Sequence, residues 1–245
     1  MRIAFDLDGV LADLHTAFSE AAVQLFPDLD QRSLSAPTVG ASPDDAAQEG
    51  VKEAPDLPAI SGVPLSRRQS EAVWDVLGTR QNFWQGLSEI ESGAIRRLAA
   101  LADERRWEVL FITSRPKSAG ATVQRQSQEW LQRMGFPMPS AYVVHGSRGR
   151  VAAALNLDVV IDDRPDNCLD VVLESKAGAI LIWRGPEAAV PASARRLGIA
   201  VAPTVATCLD LLIEAEAGQS GGSMLDRIRG VFGLKTRAAS TLRRR

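Results

Sequence analysis

Arg2-Ile3-Ala4-Phe5-Asp6-Leu7-Asp8-Gly9-Val10-Leu11-Ala12-Asp13 is a short apolar run that ends in two acids separated by one leucine. A run of this length and composition reads as a buried parallel strand. Strand alternation would turn Asp6 and Asp8 the same way if the strand continued. A turn at Gly9 is the better reading, and it leaves both carboxylates at the C-terminal end of the strand, where open α/β sheets bind ligands. Two acids this close repel unless a proton or a cation relieves them, which points to a metal site. A carboxylate can attack phosphorus to give an acyl phosphate, and a second acid can protonate the leaving oxygen and later activate water. The plainer alternative is a pair of exposed aspartates ahead of a helix. The apolar strand before them and Gly-Val-Leu-Ala-Asp after them favour the functional reading.

Further strands are expected at Glu108–Thr113, Ala141–His145, Asp158–Asp162, Gly178–Trp183 and, more weakly, Ile199–Ala202. Amphipathic stretches at 90–103, 119–134, 149–156, 166–175 and 187–197 lie between them, and another at 205–217 follows the last. Strands alternating with helices of this length imply right-handed βαβ units and an α/β fold with a doubly wound parallel sheet. About 100 residues separate the first strand from the second, where a crossover needs a dozen or more. Residues 31–66 are rich in Pro, Ala, Ser and Asp and read as loop or partly disordered chain. Residues 67–79 read as a helix, and Asn82-Phe83-Trp84-Gln85-Gly86-Leu87 is an aromatic cluster behind a polar turn. The expected division is a core of 1–13 and 88–217, a small helical cap of 14–87 placed as a lid, and a tail of 218–245.

Two more clusters fall at strand ends. The second strand closes on Thr113-Ser114-Arg115-Pro116, where a hydroxyl beside a free amide can hold a phosphoryl oxygen. The fourth closes on Asp162-Asp163-Arg164-Pro165. Magnesium takes oxygen ligands and usually needs only one or two carboxylates besides substrate and water. Asp6 and Asp162, with Asp163 nearby or through water, would suffice. Both clusters also read as helix caps when taken alone.

Asp6-x-Asp8-Gly-Val, Thr113 after a second strand, a basic residue before a helix and the Asp162-Asp163 pair together resemble the four motifs of the haloacid dehalogenase superfamily. Order and spacing match over roughly residues 1–215. The second aspartate of the first motif looks like the phosphatase branch, and the insertion is similar to the family's small helical cap. Asn-Phe-Trp, Thr-Ser-Arg-Pro and Ile-Asp-Asp-Arg-Pro-Asp-Asn look like the 5'-deoxyribonucleotidase-type branch. The resemblance implies a Mg2+-dependent phosphatase, with Asp6 as nucleophile, Asp8 as acid and base, Thr113 on a phosphoryl oxygen and Asp6, Asp8, Asp162 and Asp163 around the metal. The third motif is usually a lysine. Here the matching stretch is His145-Gly-Ser-Arg-Gly-Arg150, so Arg148 is the substitute and Arg150 the second choice. Arginine keeps the charge and can clamp phosphate with two hydrogen bonds, but it is longer and forked. The alternative is therefore a catalytically weakened protein that binds a phosphorylated ligand and signals through its tail.

Substrate contacts are expected from Ser114 and Arg115, and from Phe18, Trp74, Phe83 and Trp84 as an aromatic shelf, for which core packing is an equal alternative. A (deoxy)nucleoside 5'-monophosphate is the first substrate expected. His15 and His145 have no partner at metal spacing. Cys168 and Cys208 suggest reduced, buried thiols.

The whole chain of 245 residues carries a net charge of −2, with 45% hydrophobic and 24% charged residues. Residues 219–245 hold seven bases and one acid, so that the tail is +6 and the remainder −8. An acidic body argues against a nucleic-acid partner for the core. In the tail, Met224, Leu225, Ile228, Val231, Phe232 and Leu234 fall roughly on one helical face, which suits weak contact of residues 224–245 with an anionic membrane surface or a protein groove. A solvated basic tail is the plainer alternative. The chain starts directly on its first strand, and no apolar run approaches the ~20 residues a bilayer requires, so a cytoplasmic location is expected.

Overall fold

Alternation along each strand divides the apolar side chains between two faces, and each face is covered by helices. The computed structural model describes residues 1–28, 63 and 65–217. Within these, the strands are β1 (Arg2–Phe5), β2 (Glu108–Thr113), β3 (Ser140–Val143), β4 (Val159–Asp162), β5 (Gly178–Ile182) and β6 (Ala200–Ala202). All neighbours pair in parallel, in the order β3-β2-β1-β4-β5-β6. The helices are α1 (Leu14–Leu25), α2 (Arg67–Thr79), α3 (Ala94–Arg105), α4 (Val123–Arg133), α5 (Arg148–Ala154), α6 (Pro165–Glu174), α7 (Ala192–Leu197) and α8 (Val205–Ala217).

Ile3, Phe5, Val109, Phe111, Val159, Ile161 and Ile180 point to one face, where α1, α2, α3, α4 and α8 pack. Ala4, Leu110, Ile112, Val160 and Leu181 point to the other, against α5, α6 and α7. The result is the expected doubly wound α/β sheet in three layers. Phe5, Phe111 and Ile161 are fully buried, and each such side chain contributes about 1.5–3 kcal/mol. Phe18 of α1 and Val73, Trp74 and Leu77 of α2 join the apolar cluster that is continuous with the sheet face, and the two helices pack on each other.

Several boundaries differ from the sequence expectation for local reasons. The stretch 90–103 becomes helical only at Ala94, because Gly93 before it is left-handed. The stretch 119–134 starts at Val123, where the Thr122 side chain caps the Arg125 amide. The stretch 187–197 is split into a 3-10 turn at Glu187–Ala189 and α7, with Pro191 at the break. Residues 31–62 and 64 of the segment expected to be loop or disordered, and the whole 218–245 tail, lie outside the described residues.

Helices α5 and α6 meet at Gly149. A Cβ built there would lie 2.1 Å from the Asp170 carbonyl oxygen and 2.8 Å from Glu174 Cβ. Neither neighbour is the free end of a flexible side chain, so Gly149→Ala must separate the two helices. Overpacking of this kind costs about 1–3 kcal/mol. Urea unfolding of Gly149→Ala should therefore show a lower midpoint with an unchanged slope; a midpoint equal to wild type would contradict this packing.

Candidate active site

The chain goes from β1 to β2 on one side of the sheet and returns to β4 on the other, so β1 and β4 flank the switch point where such sheets open a crevice. Phe5 pairs with Ile161 of β4 and with Phe111 of β2. The Asp6 amide continues the ladder by donating to the Ile161 carbonyl at 2.8 Å. The same register brings Asp6, Asp162 and Thr113 to one edge of the sheet.

Beyond Asp6 the backbone folds back sharply. The Leu11 and Ala12 amides both donate to the Leu7 carbonyl, at 2.8 and 2.7 Å. Gly9 adopts φ +85°, and a Cβ there would lie 2.0 Å from Asp163 Oδ2. The left-handed backbone favours glycine at this turn, and the Asp163 carboxylate lies in the space beside it. Arg184, just past β5, braces the turn by donating to the Gly9 and Val10 carbonyls and pairing with Glu91 at 2.9 Å.

Asp6, Asp162 and Arg148 form the charged centre, and all three are buried. Arg148 Nη2 donates to Asp6 Oδ1 at 3.2 Å and to Ser114 Oγ at 2.9 Å, while Nη1 donates to the Val144 carbonyl at 3.3 Å. Arg148 Nε is buried without a hydrogen-bond partner and lies 3.7 Å from Asp162 Oδ2. Asp162 is oriented by the Arg164 amide at 2.8 Å and by Asn167 Nδ2 at 2.9 and 3.1 Å. Burial raises the Asp6 carboxyl well above its ordinary range; the charge of Asp162 adds to this and Arg148 opposes it. Burial also raises Asp162, against Arg148 and its own hydrogen bonds. Asp163 is pushed up to about 7 by burial and then by Asp162. One buried guanidinium does not neutralise three acids.

Asp8 faces elsewhere. Arg115 Nε donates to both its oxygens, at 3.1 and 2.9 Å, Arg115 Nη2 donates to Oδ1 at 2.7 Å, and the Thr113 hydroxyl donates to Oδ2 at 3.2 Å. This corrects two expectations. Asp8 does not offer its side chain to a metal shared with the other acids, because arginine and threonine occupy its oxygens. Arg115 does not reach toward a substrate, because it is only 1% exposed and bound to Asp8 and Ser127. Among the described residues, no three His, Cys, Asp or Glu side chains form a metal-holding group. Asp6 and Asp162 remain as two buried carboxylates with excess negative charge, a donor set that fits a hard cation completed by water and phosphate oxygens.

The expected aromatic shelf is also not open. Phe18, Trp74, Phe83 and Trp84 are all buried, and they pack on one another in tilted or edge-on pairs at centroid distances of 4.8–6.3 Å. Core packing, the alternative reading, describes them. Asn167, Arg184 and Ser127 were missed by sequence reasoning. Asn167 lies inside the Asp-Asp-Arg-Pro-Asp-Asn run and Arg184 follows a strand end, so their positions carried a signal; that of Ser127, within a helix, did not.

The raised carboxylates set a pH dependence. Their folded-state pKa values exceed the unfolded ones, so between about pH 4 and 7 the folded chain holds more protons than the unfolded chain, and their contribution to stability falls as pH rises. In EDTA, Asp163→Asn should gain thermal stability over wild type at pH 7.5 and lose that advantage by pH 4. A difference between the two proteins that does not change with pH would refute the assignment.

No family model matches the chain, and no curated protein matches it. A solved structure named as a beta-phosphoglucomutase from Thermotoga maritima matches with TM-score 0.50 and 16% identity, over 87% of this chain and 98% of that one. A hydrolase from Pseudomonas syringae gives 0.48 and 15%, over 90% and 100%. A haloacid dehalogenase-like family hydrolase from Streptococcus pneumoniae gives 0.46 and 12%, over 85% and 96%. At 16% identity the first likeness concerns architecture alone: the chain shares with that structure an α/β fold, here a six-stranded parallel sheet flanked by helices.

Proposed function

We propose that this chain is a Mg2+-dependent phosphomonoesterase that forms an aspartyl phosphate on Asp6 and acts on a small phosphorylated metabolite. The observation that carries the reading is the buried Asp6–Arg148–Asp162 group at the switch point, where Arg148 Nε has no hydrogen-bond partner. A buried donor of this kind is costly unless an acceptor arrives, and a phosphoryl oxygen is such an acceptor.

Asp6 and Asp162 would hold Mg2+, which when bound neutralises phosphate charge and relieves the repulsion between the acids. The reaction then follows from the residues themselves. Asp6 attacks phosphorus and forms the new O–P bond; the electron pair of the breaking P–O bond goes to the leaving oxygen, which takes a proton from Asp8. Arg148 balances charge on the transferring group, and Ser114, held by Arg148 and by the Val144 carbonyl at 3.0 Å, and Thr113 line its path. Asp8 then takes a proton from the water that attacks phosphorus; the Asp6 O–P bond breaks, its electron pair returns to the Asp6 carboxylate, and inorganic phosphate leaves. Positioning and charge neutralisation supply most of the acceleration.

Segment 14–87 is proposed as the cap. The first substrate proposed is a nucleoside 5'-monophosphate; this choice rests on the sequence resemblance alone, since the buried aromatic residues offer no stacking face. No helix among the described residues is long and apolar enough to cross a membrane; the cytoplasmic location is proposed from the sequence alone. Contact of residues 224–245 with an anionic surface or a protein groove is proposed on charge pattern alone.

Phosphate release from nucleoside monophosphates and sugar phosphates, with Mg2+ and with EDTA, tests the proposal. Release should require Mg2+, and Asp6→Asn should lower it roughly 10⁴-fold or more, as expected for loss of a nucleophile. No release by folded wild-type protein from any of these compounds would overturn the enzymatic reading in favour of a binding role. Arg148→Lys should retain most of the rate, whereas Arg148→Met should lose about 10²–10³-fold, the scale of one lost electrostatic donor. Equal rates for the two variants would refute the role of Arg148.

A further inference from the structure

Arg115 is among the most deeply enclosed charged residues in the described chain, yet it comes from the loop after β2 at the site's edge. Its guanidinium lies 4.8 Å from the Trp84 ring centroid and 5.7 Å from that of Trp130. Nη1 donates to the buried Ser127 Oγ at 2.9 Å. Nε and Nη2 both donate to Asp8, as a forked clamp. Trp84 is fixed in its turn. Its amide donates to Gln126 Oε1 at 3.1 Å and its Nε1 to the Pro116 carbonyl at 3.0 Å, while Asn82 Oδ1 accepts the Ala121 amide at 2.9 Å. The turn at 82–85 thus builds one wall of a tryptophan box whose contents hold a single carboxylate.

We propose that Arg115 is the positioning residue for Asp8: stacked between Trp84 and Trp130 and anchored on Ser127, it fixes the Asp8 carboxyl in the orientation that delivers its proton to the leaving oxygen. This rests on the phosphomonoesterase reading. A guanidinium has five donors and no acceptor, so it fixes a carboxyl without ever taking the proton from it. Stacking removes the freedom that an exposed arginine would keep. The Asp8 side chain is 16% exposed, and this open part is where the proton is exchanged. General acid catalysis needs the donor within hydrogen-bond reach of the leaving atom, and misplacement by about 1 Å costs on the order of 10²-fold.

The test compares kcat/KM for an alkyl phosphomonoester, whose alkoxide must be protonated as it leaves, with that for p-nitrophenyl phosphate, whose phenolate need not be. Because kcat/KM covers steps only through departure of the leaving group, later hydrolysis does not blur the comparison. Arg115→Met should lose roughly 10²-fold or more on the alkyl ester and less than about tenfold on the aryl ester. Asp8→Asn should show the same selectivity, and the double variant no further selective loss, since the two residues act as one unit. Equal losses on both esters would overturn the proposal and leave Arg115 a purely structural role. Ser127→Ala, which removes only the anchor, gives a second reading if Arg115→Met does not fold: a smaller loss confined to the alkyl ester supports the proposal, and an unchanged alkyl-to-aryl ratio overturns it. Absence of wild-type turnover on both esters would sink the phosphomonoesterase reading and this proposal with it; an unchanged ratio in an active enzyme sinks the proposal alone.

Discussion

Excess negative charge at one edge of the sheet is the constraint around which the rest of the structure is arranged. Asp6, Asp162 and Asp163 are drawn together by the pairing of β1 with β4, and burial raises all three carboxyls. Nothing local would choose that arrangement. It persists because the ladder fixes Phe5 opposite Ile161 and because both sheet faces are sealed by helices. Apolar burial on two faces supplies the stability from which the charged edge subtracts. Arg148 offsets part of the repulsion, and the remainder stays as excess negative charge at this edge.

The two aspartates of the first motif lie two residues apart and end in opposite surroundings. Asp6 faces the other acids and Arg148, whereas Asp8 is gripped by Arg115 and Thr113. The turn at Gly9 separates them: the backbone reverses after Leu7, and Asp163 fills the space that a side chain at position 9 would need. The difference between the two surroundings therefore begins in the backbone, and the two arginines complete it. Each arginine reaches its aspartate from a different strand connection, Arg115 after β2 and Arg148 after β3.

The aromatic residues show how a plausible reading from composition can mislead. Asn-Phe-Trp behind a polar turn suggested a platform for a substrate ring. In the structure Phe83 and Trp84 pack with Trp74 and Phe18, and the buried Trp84 ring also lies against the Arg115 guanidinium. An aromatic ring stacks on an arginine as readily as on a base, and residue type alone does not say which partner a fold will bring.

Periodicity and strand-end composition were legible from the chain alone. Alternating apolar residues in Ile3–Phe5, Val109–Ile112 and Val159–Ile161 dictate a sheet buried on both faces, and acids placed directly after such runs must gather at its C-terminal edge, because these are local properties of the backbone. Helix limits at Gly93, Thr122 and Pro191 were within reach of the same rules, since each acts on its immediate neighbours. Which guanidinium meets which carboxylate was not legible. The Asp8–Arg115 and Asp6–Arg148 contacts join residues 107 and 142 positions apart. They are settled within an ångström by the register of three strands and the packing of Trp84 and Trp130, and those distances exist only once the chain has closed on itself.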